Sequence, residues 1–310
     1  MNIELYTPEL KEEWDAVVDA SRNGTFLHKR DYMDYHADRF ADMSMIARDT
    51  KGRPVAILPA HRTDDGILCS HRGLSYGGWL MTKNADMPAM MELWDAFTDA
   101  MRNAGCRELL YKPSPHIYHT APAEEDLYAL FRHGATLQST LISSVVDMAD
   151  PLPFDMAARQ SVRKAVKNGV TVAESDDFEV FWEMLTALLA ERYGSSPVHT
   201  LAEIRLLRER FPQNIRLYMA MHEGEPVAGV VMYNSRTVSH SQYTATTAKG
   251  RELRSLPLLY SFIMENSNTR WFDFGTSNED GGRVLNEGLI RQKCGFGGRG
   301  IAYNTYKIIL

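Results

Sequence analysis

The chain has 310 residues, of which 44% are hydrophobic and 24% are charged, a balance typical of globular proteins rather than disordered or fibrous ones. Its formal net charge of -6 argues against indiscriminate binding to nucleic-acid backbones, which depends on clustered Lys and Arg, so a DNA partner is not expected. The length exceeds what one hydrophobic core usually organises, which predicts two domains.

Neither export nor membrane insertion is indicated by the sequence. The N-terminus, MNIELYTPELKEEW, lacks a basic-then-apolar signal, and no stretch approaches the roughly 18 consecutive apolar residues of a membrane span. We therefore expect a cytoplasmic protein with no integral membrane segment. Cys69, Cys106 and Cys294 are far apart and form no C-x-x-C pair, which favours buried, reduced thiols.

The first half is predicted to begin with a helix and continue into a β-hairpin. Leu10, Trp14 and Val18 recur at helical spacing. The apolar runs 43–47 and 55–58 flank a polar turn containing a glycine, a pattern typical of two antiparallel strands. After the hairpin we expect a strand at Ser70-His71, a helix at Met90 to Met101, a strand at Leu109 to Tyr111 and a final strand at Leu141 to Asp147.

The second half passes through the same events in the same order. Its predicted hairpin contains Gly224-Glu225-Pro226-Val227-Ala228, which repeats Gly52-Arg53-Pro54-Val55-Ala56 of the first half. Such self-similarity indicates a duplicated fold. Two helices precede this hairpin, at Phe178 to Leu189 and at Leu201 to Phe211. After it come a strand at Ser239-His240, a helix at Leu258 to Ile263, a strand at Trp271 to Phe274 and a final strand at Ile301 to Ile308.

The segment Asp150-Pro151-Leu152-Pro153 interrupts regular structure, because proline lacks the amide donor and restricts its predecessor. We place the domain boundary there, with domains at 1–150 and 151–310. The order of elements predicts an α/β (α+β) fold for each, a mixed and mostly antiparallel sheet covered by helices.

Motifs in the second half carry a family resemblance. Trp271-Phe272-Asp273-Phe274-Gly275 ends a predicted strand, and an acidic loop follows at 277–280. Lys293 precedes a Gly-Phe-Gly run, and a basic segment occupies 159–170. Together with the tandem repeat, these features resemble the Fem-like transferases, which are built from two acetyltransferase-type (GNAT) domains.

The resemblance implies transfer of an acyl or aminoacyl group to an amine, often on peptidoglycan precursors or other envelope molecules. The implied donor is acyl-CoA or aminoacyl-tRNA, whose acceptor end would then be a partner, and no metal is implied. Lys112 and Gln292 depart from the pattern, since peptidoglycan-bridge members tend to carry Asp and Phe there. These departures motivate a second hypothesis, a catalytically silent protein that binds an envelope precursor or partner.

Asp273 and Lys293 are the candidate catalytic residues. The aromatic neighbours of Asp273 predict a carboxylate at the edge of a core, where burial would tune it as a base, although it would equally suit capping of the following Gly-Thr-Ser turn. Lys293 rests on the resemblance, and we expect Lys293→Ala to lower turnover while leaving the melting temperature nearly unchanged. The candidate substrate-binding residues are Arg159, Arg163, Lys167, Ser277, Glu279, Asp280, Arg283 and His199.

The basic segment has two interpretations. Its cations, with Lys164 among them, would suit the phosphates of a nucleotide-linked substrate, CoA or tRNA, or would form an ordinary solvated helix face.

Three other motifs are expected to be fortuitous. The G-x-G-x-x-G at 295–300 precedes a predicted strand rather than a helix, which excludes a dinucleotide site. The G-x-S-x-G at 73–77 is not followed by a helix, which argues against a serine hydrolase. His116 and His119 follow two prolines in a predicted loop, which favours a structural or recognition role over metal binding.

Overall fold

A computed structural model describes residues 1–310, except for the side chain of Tyr193. The chain forms two compact units. The N-terminal unit comprises Met1–Ile142, Asp280–Arg283 and Ala302–Leu310, and the C-terminal unit comprises Ser143–Glu279 and Val284–Ile301. The first division lies near the expected boundary at residue 150, but the end of the chain belongs to the N-terminal unit because it forms a strand of that unit's sheet.

The N-terminal unit is built from short strands around one long helix. Its helices are α1 (Lys11–Ala20), α2 (Arg30–Met33), α3 (Met87–Asn103) and α4 (Glu125–Arg132). Its strands are β1 (Asn2–Leu5), β2 (Ala41–Asp42), β3 (Met45–Arg48), β4 (Pro54–Leu58), β5 (His61–Arg62), β6 (Ile67–Cys69), β7 (Leu80–Met81) and β8 (Glu108–Tyr111). Strand β9 (Thr136–Asp147) begins in this unit and ends in the next.

Helix α3 shows how sequence signals position the N-terminal core. The Asp86 carboxylate caps it by accepting a hydrogen bond from the Ala89 amide at 2.9 Å. The predicted stripe, including Trp94 and Phe97, is fully buried against β4, β8 and their neighbours. Complete burial of each such side chain contributes about 1.5–3 kcal/mol to the hydrophobic stabilisation.

The C-terminal unit contains longer strands. Its helices are α5 (Met156–Lys167), α6 (Phe178–Tyr193), α7 (Leu201–Arg210), α8 (Ala248–Leu253), α9 (Ser255–Glu265) and α10 (Glu287–Gly295). Its strands are β10 (Thr171–Ser175), β11 (Ile215–His222), β12 (Glu225–Asn234), β13 (Val238–Thr246), β14 (Trp271–Thr276), β15 (Asn278–Glu279) and β16 (Val284–Leu285). Strand β17 (Arg299–Ile309) completes the chain. Short 3₁₀ helices occur at Pro8–Leu10, Phe26–His28, Asp34–Arg39, His116–Tyr118 and Asp280–Gly282.

The sheet of the C-terminal unit has the strand order β10-β11-β12-β13-β14-β9 and is antiparallel except between β13 and β14. Apolar residues of β12 and β14, among them Val230 and Phe272, are fully buried with Leu259 of α9. In the N-terminal unit, β1-β3-β4-β7 form one sheet and β17-β8-β6-β5-β2 form another run of paired strands.

The predicted duplication is visible in the two hairpins. Gly52 and Gly224 occupy the turns with φ of 77° and 84°, a conformation that glycine adopts without steric cost. Each ladder has an irregularity beside the proline, at the pairs Arg48–Pro54 and Met221–Pro226. Both units then form one parallel strand pair, β6–β8 and β13–β14. The predicted α/β class with two GNAT-like units is therefore confirmed in its sequence of elements.

Several smaller expectations are also decided. Cys69 and Cys106 are buried, but Cys294 is exposed, because it lies on the outer side of α10 beside the buried Lys293. Strand β17 follows the G-x-G-x-x-G run, and no helix starts directly after the G-x-S-x-G run, as predicted. None of the described helices is both long and apolar enough to cross a bilayer.

Candidate functional site

The C-terminal unit contains a pair of parallel strands that pair only briefly. Strand β13 aligns with β14 through Val238–Trp271, Ser239–Phe272 and His240–Asp273. Beyond this point no further β13–β14 ladder pair is found among the described residues, although both strands continue. An irregularity in the β12–β13 ladder at Ser241 to Tyr243 coincides with the end of pairing. The pairing of β13 with β14 therefore ends at His240 and Asp273.

The last of these pairs brings an imidazole to a carboxylate. His240 Nδ1 lies 3.0 Å from Asp273 Oδ2. A carboxylate can only accept, so the Nδ1–H of His240 donates to it, and the neutral ring then has its lone pair on Nε2. The Asp273 side chain is fully buried, whereas that of His240 is 19% exposed. This arrangement is that of a histidine base oriented by a buried carboxylate.

Asp273 is stabilised by two further donors. Its Oδ1 accepts a hydrogen bond from the Ser143 hydroxyl of β9 and another, at 2.8 Å, from the Gly275 amide. Three donors compensate the burial of the carboxylate, which would otherwise be costly. The turn-capping role expected of Asp273 is thus present, together with a contact to His240 that the sequence did not predict.

Gly275 lies beside the imidazole in a conformation that favours glycine. Its φ is 80°, and a Cβ at this position would lie 3.5 Å from Cε1 of His240, an ordinary van der Waals distance. A side chain would therefore be strained by the backbone conformation rather than by a clash with the ring.

Lys293 braces the loop that follows Asp273. Its Nζ donates to the Gly275 carbonyl at 2.8 Å, the Thr276 carbonyl at 2.9 Å and the Ser277 hydroxyl at 2.9 Å. Burial lowers the pKa of Lys293 to about 8, and the charge of Asp273 acts in the opposite direction. The structure therefore brings together Asp273, Lys293 and Ser277, and the lysine uses all three donors on protein acceptors.

A cleft of about 670 Å³ lies in the same unit. Its lining includes Thr244 and Thr246 of β13, and four arginines border it, namely Arg192, Arg251, Arg254 and Arg291. Arg291 is paired with Glu287 at 2.8 Å. Arg192, Arg251 and Arg254 have no carboxylate partner among the described side chains. Arg251 donates to the Thr246 carbonyl at 3.2 Å, so it keeps its charge without a counter-ion. A cleft bordered by guanidinium groups that have no carboxylate partner is suited to phosphate or another polyanion.

The floor of this cleft requires a glycine. Thr247 caps α8 through its hydroxyl, which accepts from the Gly250 amide at 3.0 Å. A Cβ on Gly250 would lie 2.0 Å from the Val227 carbonyl oxygen and 2.7 Å from the Ser255 hydroxyl. Helix α8 can therefore approach β12 this closely only with glycine at position 250.

The other predicted site residues are dispersed. Arg159, Arg163 and Lys167 lie exposed on α5, outside the lining of the cleft. His199 is buried, its Nδ1 contacts the Tyr243 hydroxyl and its carbonyl accepts from Trp182. Glu279 is exposed and accepts a hydrogen bond from the Asn286 side chain. Asp280 and Arg283 are also exposed, and they lie in the segment that belongs to the N-terminal unit.

The sequence prediction omitted His240, Ser143 and the cleft arginines. One signal for His240 was present, because Ser239-His240 echoes Ser70-His71 of the first half. The cleft arginines Arg251 and Arg254 follow β13 directly, in a Thr-capped segment that contains Gly250. A search for basic residues in the segment that follows β13 would have found Arg251 and Arg254.

Residues 156–280 match the family model described as an acetyltransferase (GNAT) domain. This match confirms the predicted acyltransferase domain in the C-terminal half. No curated protein sequence matches the chain.

Solved structures share the fold of the whole chain. FemX is 14% identical, with a TM-score of 0.72 over 100% of this chain and 98% of its own. L-PGS from Bacillus licheniformis is 12% identical, with a TM-score of 0.60 over 99% and 92% of the two chains. A tandem GNAT protein from the clavulanic acid biosynthesis pathway is 12% identical, with a TM-score of 0.50 over 99% and 98%. The predicted tandem, Fem-like GNAT architecture is thereby confirmed.

Proposed function

We propose that this chain, whose residues 156–280 form a GNAT-type domain, is a cytoplasmic N-acyltransferase that uses His240 as its general base. The observation that carries the proposal is the His240–Asp273 pair at the point where the pairing of β13 with β14 ends. Strand β13 continues from His240 to the arginine-bordered cleft, which Thr244 and Thr246 line, so the cleft would supply cations for the phosphates of an acyl donor that lies along β13.

The reaction follows from the chemistry of these groups. An acceptor amine attacks the carbonyl carbon of a thioester, and Nε2 of His240 takes the proton released from the attacking nitrogen. Asp273 holds the imidazole in the required tautomer and stabilises the imidazolium that forms. Collapse of the tetrahedral intermediate breaks the carbon–sulfur bond, and the imidazolium returns its proton to the leaving thiolate, so an amide and a free thiol are produced.

The oxyanion of the intermediate requires hydrogen-bond donors. Strand β13 beyond His240 has no ladder partner on the β14 side among the described residues, so its backbone amides on that edge are candidates. Lys293 serves as a positioning residue in this scheme, because it holds the loop at Gly275 to Ser277 in place beside His240.

Acyl-CoA is the donor favoured by the cleft. Arg192, Arg251 and Arg254 would neutralise its phosphates, and the volume of about 670 Å³ suits a ligand of that size. The acceptor is proposed to be an amine on an envelope precursor. Support for that class comes from the sequence resemblance and from the shared fold of FemX and L-PGS.

The proposal is tested with acetyl-CoA and longer acyl-CoAs. A donor that binds only the folded protein raises its melting temperature by mass action. Release of free thiol with amino-sugar or peptide amines then measures turnover in the wild type and in His240→Gln. A shift without turnover in any combination would favour the catalytically silent binding protein.

A second donor, aminoacyl-tRNA, is favoured by one separate observation. Arg159, Arg163, Lys164 and Lys167 are exposed on α5 and have no carboxylate partner in the part of the chain described. Such a face suits a nucleic-acid backbone. Charged tRNA should then produce a melting-temperature shift that Arg163→Met and Lys167→Met diminish, whereas the shift caused by acetyl-CoA should not change.

A further inference from the structure

A second cavity, of about 360 Å³, lies in the N-terminal unit. Its lining includes the Ser70, His71 and Arg72 segment after β6, Lys112 after β8, and Thr305 of β17. The GNAT-type reaction proposed above assigns no role to it. It also contains Lys112, one of the two positions where the sequence departs from the peptidoglycan-bridge pattern.

Two cationic side chains, Arg72 and Lys112, line this cavity, and no carboxylate among the described residues lines it. The ionisable groups that act on the pKa of Lys112 are the Arg72 guanidinium and the Cys69 thiol, and the charges of Lys112 and Arg72 both lower the pKa of the neighbouring His61. No carboxylate among the described residues acts on the pKa of Lys112. Burial, together with the repulsion from Arg72, lowers the pKa of the Lys112 ammonium. Among the described residues Arg72 forms no salt bridge, although its guanidinium donates a hydrogen bond to Cys69. Its charge acts on the pKa of one carboxyl group, that of Asp65, which is fully exposed.

The cavity wall also contains an unsatisfied polar atom. His71 is buried, with 4% of its surface exposed, and its Nδ1 has no hydrogen-bond partner among the described residues. The residue adopts a φ of 58°, so its backbone is held in a conformation that non-glycine residues rarely adopt. Buried polar atoms are almost always paired, and this unpaired one belongs to a residue that lines the cavity.

The backbone around the cavity is held firmly. The Ser70 hydroxyl accepts from the Lys112 amide at 2.7 Å, and the Lys112 carbonyl accepts from Gly77 at 2.8 Å. The Ser70 side chain still has its own proton to donate. Lys112 and Ser70 are therefore pre-positioned by the fold, while the ammonium group of Lys112 has no hydrogen-bond partner among the described residues.

We propose that this cavity binds a phosphoryl group of a ligand. Lys112 and Arg72 would neutralise its charge, and the hydroxyls of Ser70 and Thr305 would donate to its oxygens. The phosphate brings the negative charge that the two cations lack. The site lies within the N-terminal unit and does not depend on the reaction at His240.

Inorganic phosphate is the probe, titrated by calorimetry at pH 7. Because the arginine-bordered cleft would also attract phosphate, the titration uses Arg251→Met/Arg254→Met protein as the background. Within it, Lys112→Met and Arg72→Met should each weaken phosphate binding about tenfold or more. Lys112→Arg should retain binding within a few-fold. Lys83→Met, which removes an exposed lysine of the same unit outside the cavity, should leave binding unchanged.

Three outcomes would overturn the proposal. The first is phosphate binding by Lys112→Met as tight as in its background. The second is Lys112-dependent binding of acetate without binding of phosphate, which would assign the cavity to carboxylates. The third is a lower melting temperature of Lys112→Met in phosphate-free buffer, large enough to account for its loss of phosphate binding. Removal of a charge that is desolvated and repelled by Arg72 should instead leave the stability unchanged or raise it.

Discussion

The two units end the same strand arrangement with different side chains. In the C-terminal unit the third residue pair of the parallel strands is His240–Asp273, an acid–base pair. At the corresponding register in the N-terminal unit the pair is Cys69–Leu110, which has no such capacity. Two positions beyond Leu110, the N-terminal unit places Lys112 at the edge of a cavity, where the C-terminal unit has Gly275.

In both units the chain continues from the end of the parallel pair to a cavity, which Ser70 to Arg72 line in the N-terminal unit and Thr244 and Thr246 line in the C-terminal unit. Under the two proposals made above, the side chains near the end of the pair would decide whether that region performs proton transfer or holds an anion. The duplication fixes where a site forms, and a few substitutions decide what the site does.

The largest expected effect concerns the acid–base pair. His240→Gln should lower kcat by about 10²–10⁴-fold, because general-base catalysis typically contributes that much. His222→Gln makes the same change at the end of β11 in the same unit and should leave kcat unchanged. Thiol release under saturating acyl-CoA measures both. Equal activity of the two variants would remove His240 from the mechanism and with it the functional contrast between the units.

A second prediction concerns acid stability, which should be weakest in the N-terminal unit. Burial lowers the pKa of His28 and His61 to about 4 and that of His71 to about 2. In the unfolded chain these groups titrate near 6.5, so their neutral burial contributes stability above that pH, which is lost as the pH falls towards 4. Asp126, whose pKa burial raises to about 7, acts in the opposite sense.

The net loss between pH 7 and pH 5 should be on the order of 3 kcal/mol. Urea unfolding of Trp182→Phe/Trp271→Phe protein measures it, because the remaining tryptophans, Trp14, Trp79 and Trp94, belong to the N-terminal unit. Asp126→Asn should steepen the loss by removing the opposing group. A free energy of unfolding that stays constant or rises towards pH 5 would show that neutral burial of these histidines does not govern the acid stability of the N-terminal unit.

Lys293 should affect both stability and activity. Lys293→Ala leaves the Gly275 and Thr276 carbonyls and the Ser277 hydroxyl without their donor, which should cost about 1–3 kcal/mol of unfolding free energy. The three contacts thus replace the sequence-based expectation of an unchanged melting temperature. Lys249→Ala, at an exposed lysine of α8, provides the control, and thermal unfolding compares them. A loss of turnover in Lys293→Ala with no change in stability would instead favour direct contact with the substrate.

The smallest effect is expected at the cleft. Arg254→Met should raise the KM for acyl-CoA about tenfold with little change in kcat, because a charge-assisted contact to phosphate is lost. Arg291→Met should change KM less, because Arg291 is already paired with Glu287. Steady-state kinetics at two salt concentrations compares them, and the difference should shrink at high salt. A larger increase in KM from Arg291→Met than from Arg254→Met would place the donor phosphates beside Arg291 instead.

Local sequence patterns predicted most of the elements. The stripe at Met90, Trp94 and Phe97 identified α3, and the two Gly-x-Pro-Val-Ala turns identified both hairpins. These signals are readable because helical periodicity and turn chemistry involve residues a few positions apart. The same locality explains why Asp273 was found as the residue that caps its own turn.

The site depended on long-range register, which no local pattern encodes. His240 and Asp273 are 33 positions apart, and Ser143 is 130 positions from Asp273. His240 and Asp273 are paired directly across β13 and β14, whereas Ser143 lies two residues along β9 from Val145, the residue opposite Asp273, and so points to the same face of the sheet. A one-residue slip of β13 would turn His240 to the other face of the sheet. The sequence by itself determined the elements and their repetition, whereas only tertiary strand pairing decided which side chains meet, because that alignment is set by packing across the whole sheet.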